Sequence, residues 1–249
     1  MNNSRGFTLI EILVAAVVSL IMLFAIGTAI ESALRSSGGI ERKVTAQQDV
    51  RAALELMAME IRMASYNPTF ADTLDNPARM WHNPDCSFPS ANPGWRGVQA
   101  ATSNTITVEM DISGAAGDGN GSIGEPNEII SYNYVSAGAY GSAGADRLIT
   151  RNTNCGGAQP FLGDFSASGN PRTVKVINSD LGIPIFRYFD GWGNLIPVDA
   201  NGNIINAGIQ VPNIRTIEIT LAVETDEINP DTKLPRRMIY STREILRNN

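Results

Sequence analysis

The chain opens with an apolar run over residues 7–30, interrupted only by Glu11 and a few small polar residues. At a rise of about 1.5 Å per residue, a helix of that length reaches roughly 36 Å, enough to cross a bilayer core. Past Gly38-Gly39 the pattern changes. Apolar side chains recur at Ile40, Val44, Val50, Leu54, Met57, Ile61 and Ala64, at steps of three and four broken at Gln47. That period predicts an amphipathic helix over 31–66 that covers a core. Its other faces carry Arg42, Lys43, Asp49, Arg51, Glu55, Glu60 and Arg62, with Arg51 and Glu55 spaced i,i+4. Gly38-Gly39 is a weak point, at about 1 kcal/mol per glycine. Pro68 closes the helix by disfavouring helical geometry at Asn67.

Residues 67–249 read differently. A Pro-, Asn- and Trp-rich stretch up to Gly97 has no period. Strand patterns then follow at 105–110, 128–135, 147–151, 172–177, 183–189, 214–223 and 237–245, separated by Gly- and Asn-rich turns. The clearest alternation is Arg215-Thr216-Ile217-Glu218-Ile219-Thr220-Leu221, a half-exposed strand. The expected fold is α+β: a long N-terminal helix, membrane-spanning in its first half, packed in its second against an antiparallel β-sheet head.

With 249 residues and 43% hydrophobic composition, the chain has enough apolar surface for a sizeable core. A net charge of −6 argues against nucleic acid as a direct ligand, since phosphate backbones need clustered Lys and Arg. A single histidine, His82, and the lack of a phosphate loop, a GxSxG or an HExxH argue against an enzyme. Cys86 and Cys155 lie outside any CxxC spacing. They predict one disulfide if the head is extracytoplasmic, worth about 4 kcal/mol in the chain-entropy model, and two buried thiols otherwise. Trp81, Trp95, Trp192, Tyr132 and Tyr134 are expected as core or turn anchors.

The segment 118–128 places oxygen side chains at alternating positions, as calcium loops do. Asp111, Asp118, Asn120, Glu125 and Glu128 are the candidate ligands. An EF-hand loop counted from Asp118 would need glycine and a bidentate acid where Ile123 and Ile129 stand, so a Gly/Asn-rich hairpin turn competes with calcium here. A second Asx-Gly segment, 199–203, predicts a type I′ turn. No other cofactor is expected.

Glu11 is the informative residue. A carboxylate within a membrane helix costs about 2.5–3.5 kcal/mol, and no Lys or Arg lies one turn away to offset it. An ordinary secretory signal is a poor alternative, because the run is too long and holds an acid. Gly6-Phe7-Thr8-Leu9-Ile10-Glu11, behind a short polar leader with Arg5, resembles the prepilin peptidase recognition sequence of type IV pilins and type II secretion pseudopilins. The resemblance implies a leader at 1–6, cleavage after Gly6 and N-methylation of Phe7. It also implies a pairing of Glu11 with the N-terminal amine of a neighbouring subunit. The partners it implies are prepilin peptidase, the inner membrane and other pilins, reached through the N-terminal helix. The segment 47–68 and the ending 241–248 are similar to PilW-type minor pilins, and the stretches 186–194 and 211–215 resemble both PilW-like pilins and J-class pseudopilins; the PilW resemblance implies a part in initiating a filament at or near its tip. The alternatives are a J-class pseudopilin and a membrane-anchored surface binding protein. In each case the chain is expected as a single-pass inner-membrane protein with its head outside the cytoplasm.

Overall fold

The computed structural model describes residues 8–70, 81–87, 92, 95–113, 119–136, 147–164, 174–228 and 234–247. The chain divides into two compact units, Met1–Thr45 and Ala46–Asn249. The boundary falls within one helix, α1 (Leu9–Arg62), whose helical pattern runs unbroken through Gly38-Gly39. In the first unit the helix is apolar and exposed along Leu9–Leu34, long enough to cross a membrane.

The second unit begins at Ala46 and holds the core. From Ala46 onward the predicted stripe is buried at Val50, Leu54, Met57, Ile61 and Ala64, whereas Ile40 and Val44 stay exposed. Ala46, Ala53 and Ala58 are buried alongside it and belong to the same hydrophobic core. The helix stops where Ser65 turns left-handed (φ 64°) and donates its N–H to Glu109 O.

Two antiparallel sheets make up the rest of the unit. The first contains β1 (Val98–Ala101), β2 (Thr105–Glu109), β3 (Ile129–Val135), β4 (Arg147–Thr153) and β5 (Gln159–Asp164), in that order. The second contains β6 (Val174–Val176), β7 (Phe186–Phe189), β8 (Thr216–Ile228) and β9 (Pro235–Ile245). β8 is its spine: β6 and β7 pair with successive stretches of β8 and β9 runs along it, Thr216 opposite Ile245 through Glu224 opposite Arg237. A single helical turn, α2 (Ala207–Gln210), precedes β8. The α+β reading therefore holds, with an antiparallel head.

All seven predicted strands have a counterpart, although the start of the 172–177 prediction lies outside the described residues. The sequence pattern missed β1 and β5. β1 is Val-Gln-Ala-Ala, too weak in β-formers to register. β5 contains Pro160 and Gly163, both strand breakers in isolation, and takes them as the terminal strand of its sheet. A Cβ on Gly163 would collide with Arg147 O, so glycine is required there.

The sheets are tied together by polar side chains with buried partners. Tyr134 donates to Val176 O at 3.0 Å and Tyr188 to Thr102 O at 2.7 Å. Fully buried Asn178 donates from Nδ2 to Thr220 O (2.8 Å) and Ile183 O (3.2 Å), and accepts at Oδ1 from Ala222 N (2.8 Å). Three of its four hydrogen-bonding positions are thereby used to fix the β6–β7 connection against β8. The predicted disulfide is present: Cys86–Cys155 joins the 81–87 segment to the turn after β4.

Candidate functional site at the helix N-terminus

In the first unit, Thr8 and Glu11 close the start of α1 on each other. Thr8 N donates to Glu11 Oε2 (2.8 Å), Thr8 Oγ1 donates to the same oxygen (2.9 Å), and Glu11 N donates to Thr8 Oγ1 (3.4 Å). This is a capping box, in which the hydroxyl and the acid three residues on satisfy each other's backbone donors. The acid also sits where the helix dipole favours negative charge. Ile10, Val14, Ala15, Val18 and Ser19 border a shallow, mostly apolar groove beside Glu11. Ser19 Oγ donates to Ala15 O (2.7 Å) and Thr28 Oγ1 to Ala25 O (2.9 Å), so these hydroxyls add little cost in lipid. The 1–6 leader, including Gly6, and Phe7 after it lie outside the described residues.

In the second unit the candidate calcium ligands are held by backbone amides. Asp111 accepts Asn120 N at Oδ1 and Gly121 N at Oδ2, both at 2.8 Å. Glu128 accepts Ile112 N (3.1 Å) and Ser113 N (2.9 Å) at Oε1, and Gly124 N (3.0 Å) and Glu125 N (2.9 Å) at Oε2. Both carboxylates are fully buried, and each anchors the loop between β2 and β3. Asn120 and Glu125 are exposed, and Asp118 lies outside the described residues. Among the described residues no group of three or more His, Cys, Asp or Glu is placed to hold a metal ion.

The 199–203 turn differs from the expected type I′. Asn201 keeps a negative φ and only Gly202 is left-handed (φ 83°). Gly202 N donates to Asp199 O and Asp199 N to Asn203 O. This is a type I turn followed by a glycine bulge, and glycine at the last turn position makes it preferable to I′. The 190–194 segment repeats it, with Gly193 left-handed. The Asn194 side-chain amide, followed by turn backbone amides, holds the Asp190 carboxyl below the usual range, and the Asn203 backbone amide, followed by the Asn203 side chain and other turn amides, does the same at Asp199.

Among the buried acids that the sequence pattern did not single out, two stand in unusual surroundings. Glu60, expected on a solvent face, is buried. It accepts Tyr132 Oη and a double contact from Arg151: Nη2 to Oε1 at 2.5 Å and Nε to Oε2 at 3.2 Å. Burial, followed by the adjacent Glu60 charge, pushes the Tyr132 phenol well above its ordinary range. The missed signal is position: Glu60 stands three residues after Met57 and one before Ile61, at the margin of the stripe. Glu109, at the end of β2, receives His82 N at 2.9 Å on Oε2, and its Oε1 has no hydrogen-bond partner among the described residues. Burial pushes its carboxyl up to about 8.

Residues 1–27 match the family model described as "Prokaryotic N-terminal methylation motif". No curated protein and no solved structure matches the chain. The match spans the Thr8–Glu11 cap and most of the apolar helix. It supports a type IV pilin-like or pseudopilin character, hence a membrane-anchored structural subunit.

Proposed function

We propose that the chain is a minor type IV pilin-like subunit of the PilW type, which takes part in initiating a pilus at or near its tip. The observation that carries this reading is an acid inside a membrane-length apolar helix, within a matched N-terminal methylation motif. Prepilin peptidase cuts after Gly6 and the new amino terminus, Phe7, is methylated. The head stands outside the cytoplasm, where the Cys86–Cys155 bond is at home. Assembly proceeds through the helix: Glu11 pairs with the Phe7 amine of a neighbouring pilin, and the exposed apolar surface of Leu9–Leu34 packs against its neighbours' helices.

A J-class pseudopilin carries the same N-terminal chemistry. It differs in the machine it serves, which gene neighbourhood decides. The test of the shared reading is the mature N-terminus. Mass spectrometry of membrane-extracted protein is expected to find N-methylated Phe7; an intact start at Met1 would overturn the proposal.

A further inference from the structure

The loop after β2 carries a motif that assembly does not use. Asn120-Gly121-Ser122 is an Asn-x-Ser acceptor sequence for N-glycosylation, with x other than proline. Beyond residue 6 it is the only such sequence in the chain, since Asn67-Pro68-Thr69 is excluded by its proline.

The fold presents this asparagine outward. Asp111, buried beneath the turn, accepts the backbone N–H groups of both Asn120 and Gly121 at 2.8 Å. Gly119 is left-handed (φ 74°), and a Cβ there would lie 2.6 Å from the Asp111 carboxylate, so the close approach needs glycine. With the backbone pinned from below, the side chains of Asn120 and Ser122 are both exposed. Asn120 Oδ1 accepts Ser122 N at 2.9 Å. A backbone N–H can only donate, so this contact identifies the oxygen end of the amide. It leaves Nδ2 turned away, with no hydrogen-bond partner among the described residues. The same contact bends the chain so that Ser122 folds back toward Asn120, and glycine at the middle position puts no side chain in the way.

We propose that Asn120 is an N-glycosylation site, modified by a membrane oligosaccharyltransferase from a lipid-pyrophosphate-linked glycan. Asn120 Nδ2 attacks the anomeric carbon of the first sugar and the carbon–oxygen bond to phosphate breaks. The lipid pyrophosphate departs and Nδ2 gives up one proton to a base of the transferase. Ser122 supplies the hydroxyl by which the acceptor is recognised. The inference rests on the extracytoplasmic placement of the head in the preceding reading.

The test uses the full chain purified from the membranes of its own cells. The proteolytic peptide holding Asn120 is expected to carry a glycan mass with sugar fragment ions. Asn120→Gln and Ser122→Ala should each abolish it, and Ser122→Thr should retain it. In parallel, a membrane-impermeant amine label on intact spheroplasts reports whether the head's lysines lie outside. An unmodified peptide, or one in which Asn120 has only become aspartate, from a chain labelled outside overturns the site alone. Lysines protected until lysis overturn the topology, and the site with it.

Discussion

Arg151 grips Glu60 through Nη2 at 2.5 Å and Nε at 3.2 Å, so an arginine on β4 holds a carboxylate near the end of α1, while Tyr132 on β3 donates to the same acid. The Glu60 side chain is 8% exposed and that of Arg151 23%. Removing one member of such a pair leaves a buried charge without its counter-charge. Arg151→Met is expected to lower the unfolding free energy by about 3 kcal/mol. Tyr132→Phe, which deletes one hydrogen bond to a charged group, should cost about 1.5–3 kcal/mol. Urea melts of the detergent-solubilised chain check both. The double variant Glu60→Leu with Arg151→Met should recover part of the loss.

Glu109 makes stability depend on pH. Its carboxyl is raised from 4.5 to about 8 in the folded chain, so the folded state holds a proton that the unfolded state has released. The sign follows: its contribution is fully present below about 4.5 and is lost as pH rises towards 8. Glu109→Gln should remove that decline and be the more stable protein at the alkaline end, by up to roughly 4 kcal/mol. The measurement is the difference in melting temperature between the two proteins across the window.

The Cys86–Cys155 bond closes a loop with a sequence separation of 69. Its loss, by Cys86→Ala with Cys155→Ala, is expected to cost about 4 kcal/mol. Hydrogen exchange should show the 81–87 segment, with buried Trp81, losing protection first. A uniform loss across both sheets would contradict this local role.

At the N-terminus, Glu11→Ala is expected to insert into membranes more readily, because about 2.5–3.5 kcal/mol of insertion cost disappears, yet fail to enter filaments. Thr8→Ala removes a helix cap worth about 1 kcal/mol and should weaken assembly less. Electron microscopy and shear-fraction immunoblots read both. Normal filaments from Glu11→Ala would overturn the pairing.

Calcium provides a separate check on the loop after β2. Asp111 and Glu128 already receive six backbone amides between them. Adding calcium or a chelator is therefore expected to leave the melting temperature unchanged, while Glu128→Gln lowers the unfolding free energy by about 2 kcal/mol.

Long-period features were legible in the sequence because each is written redundantly: the membrane run in twenty-odd residues, the stripe from Val50 to Ala64 in every turn, and β8 in its alternation. What stayed hidden depended on partners distant in sequence. Ile40 and Val44 extend the stripe, but burial begins at Ala46. Glu60 looked like a surface charge because Arg151 and Tyr132 lie far along the chain. β5 is a strand because β4 offers it an edge, and nothing in Gln-Pro-Phe-Leu-Gly-Asp announces that. The N-terminal motif was legible for the opposite reason: it is local, written in consecutive residues.

Both donors from Thr8 fall on one oxygen of Glu11. The two carboxylate oxygens are therefore unequal: Oε2 takes both Thr8 donors, and Oε1 accepts no hydrogen bond among the described residues. Since Thr8 follows the proposed cleavage point, maturation would trim the leader yet keep this lock intact. A neighbour's amine could then dock on the open side, so that joining the fibre adds a bond without unfastening the one that holds the helix end closed.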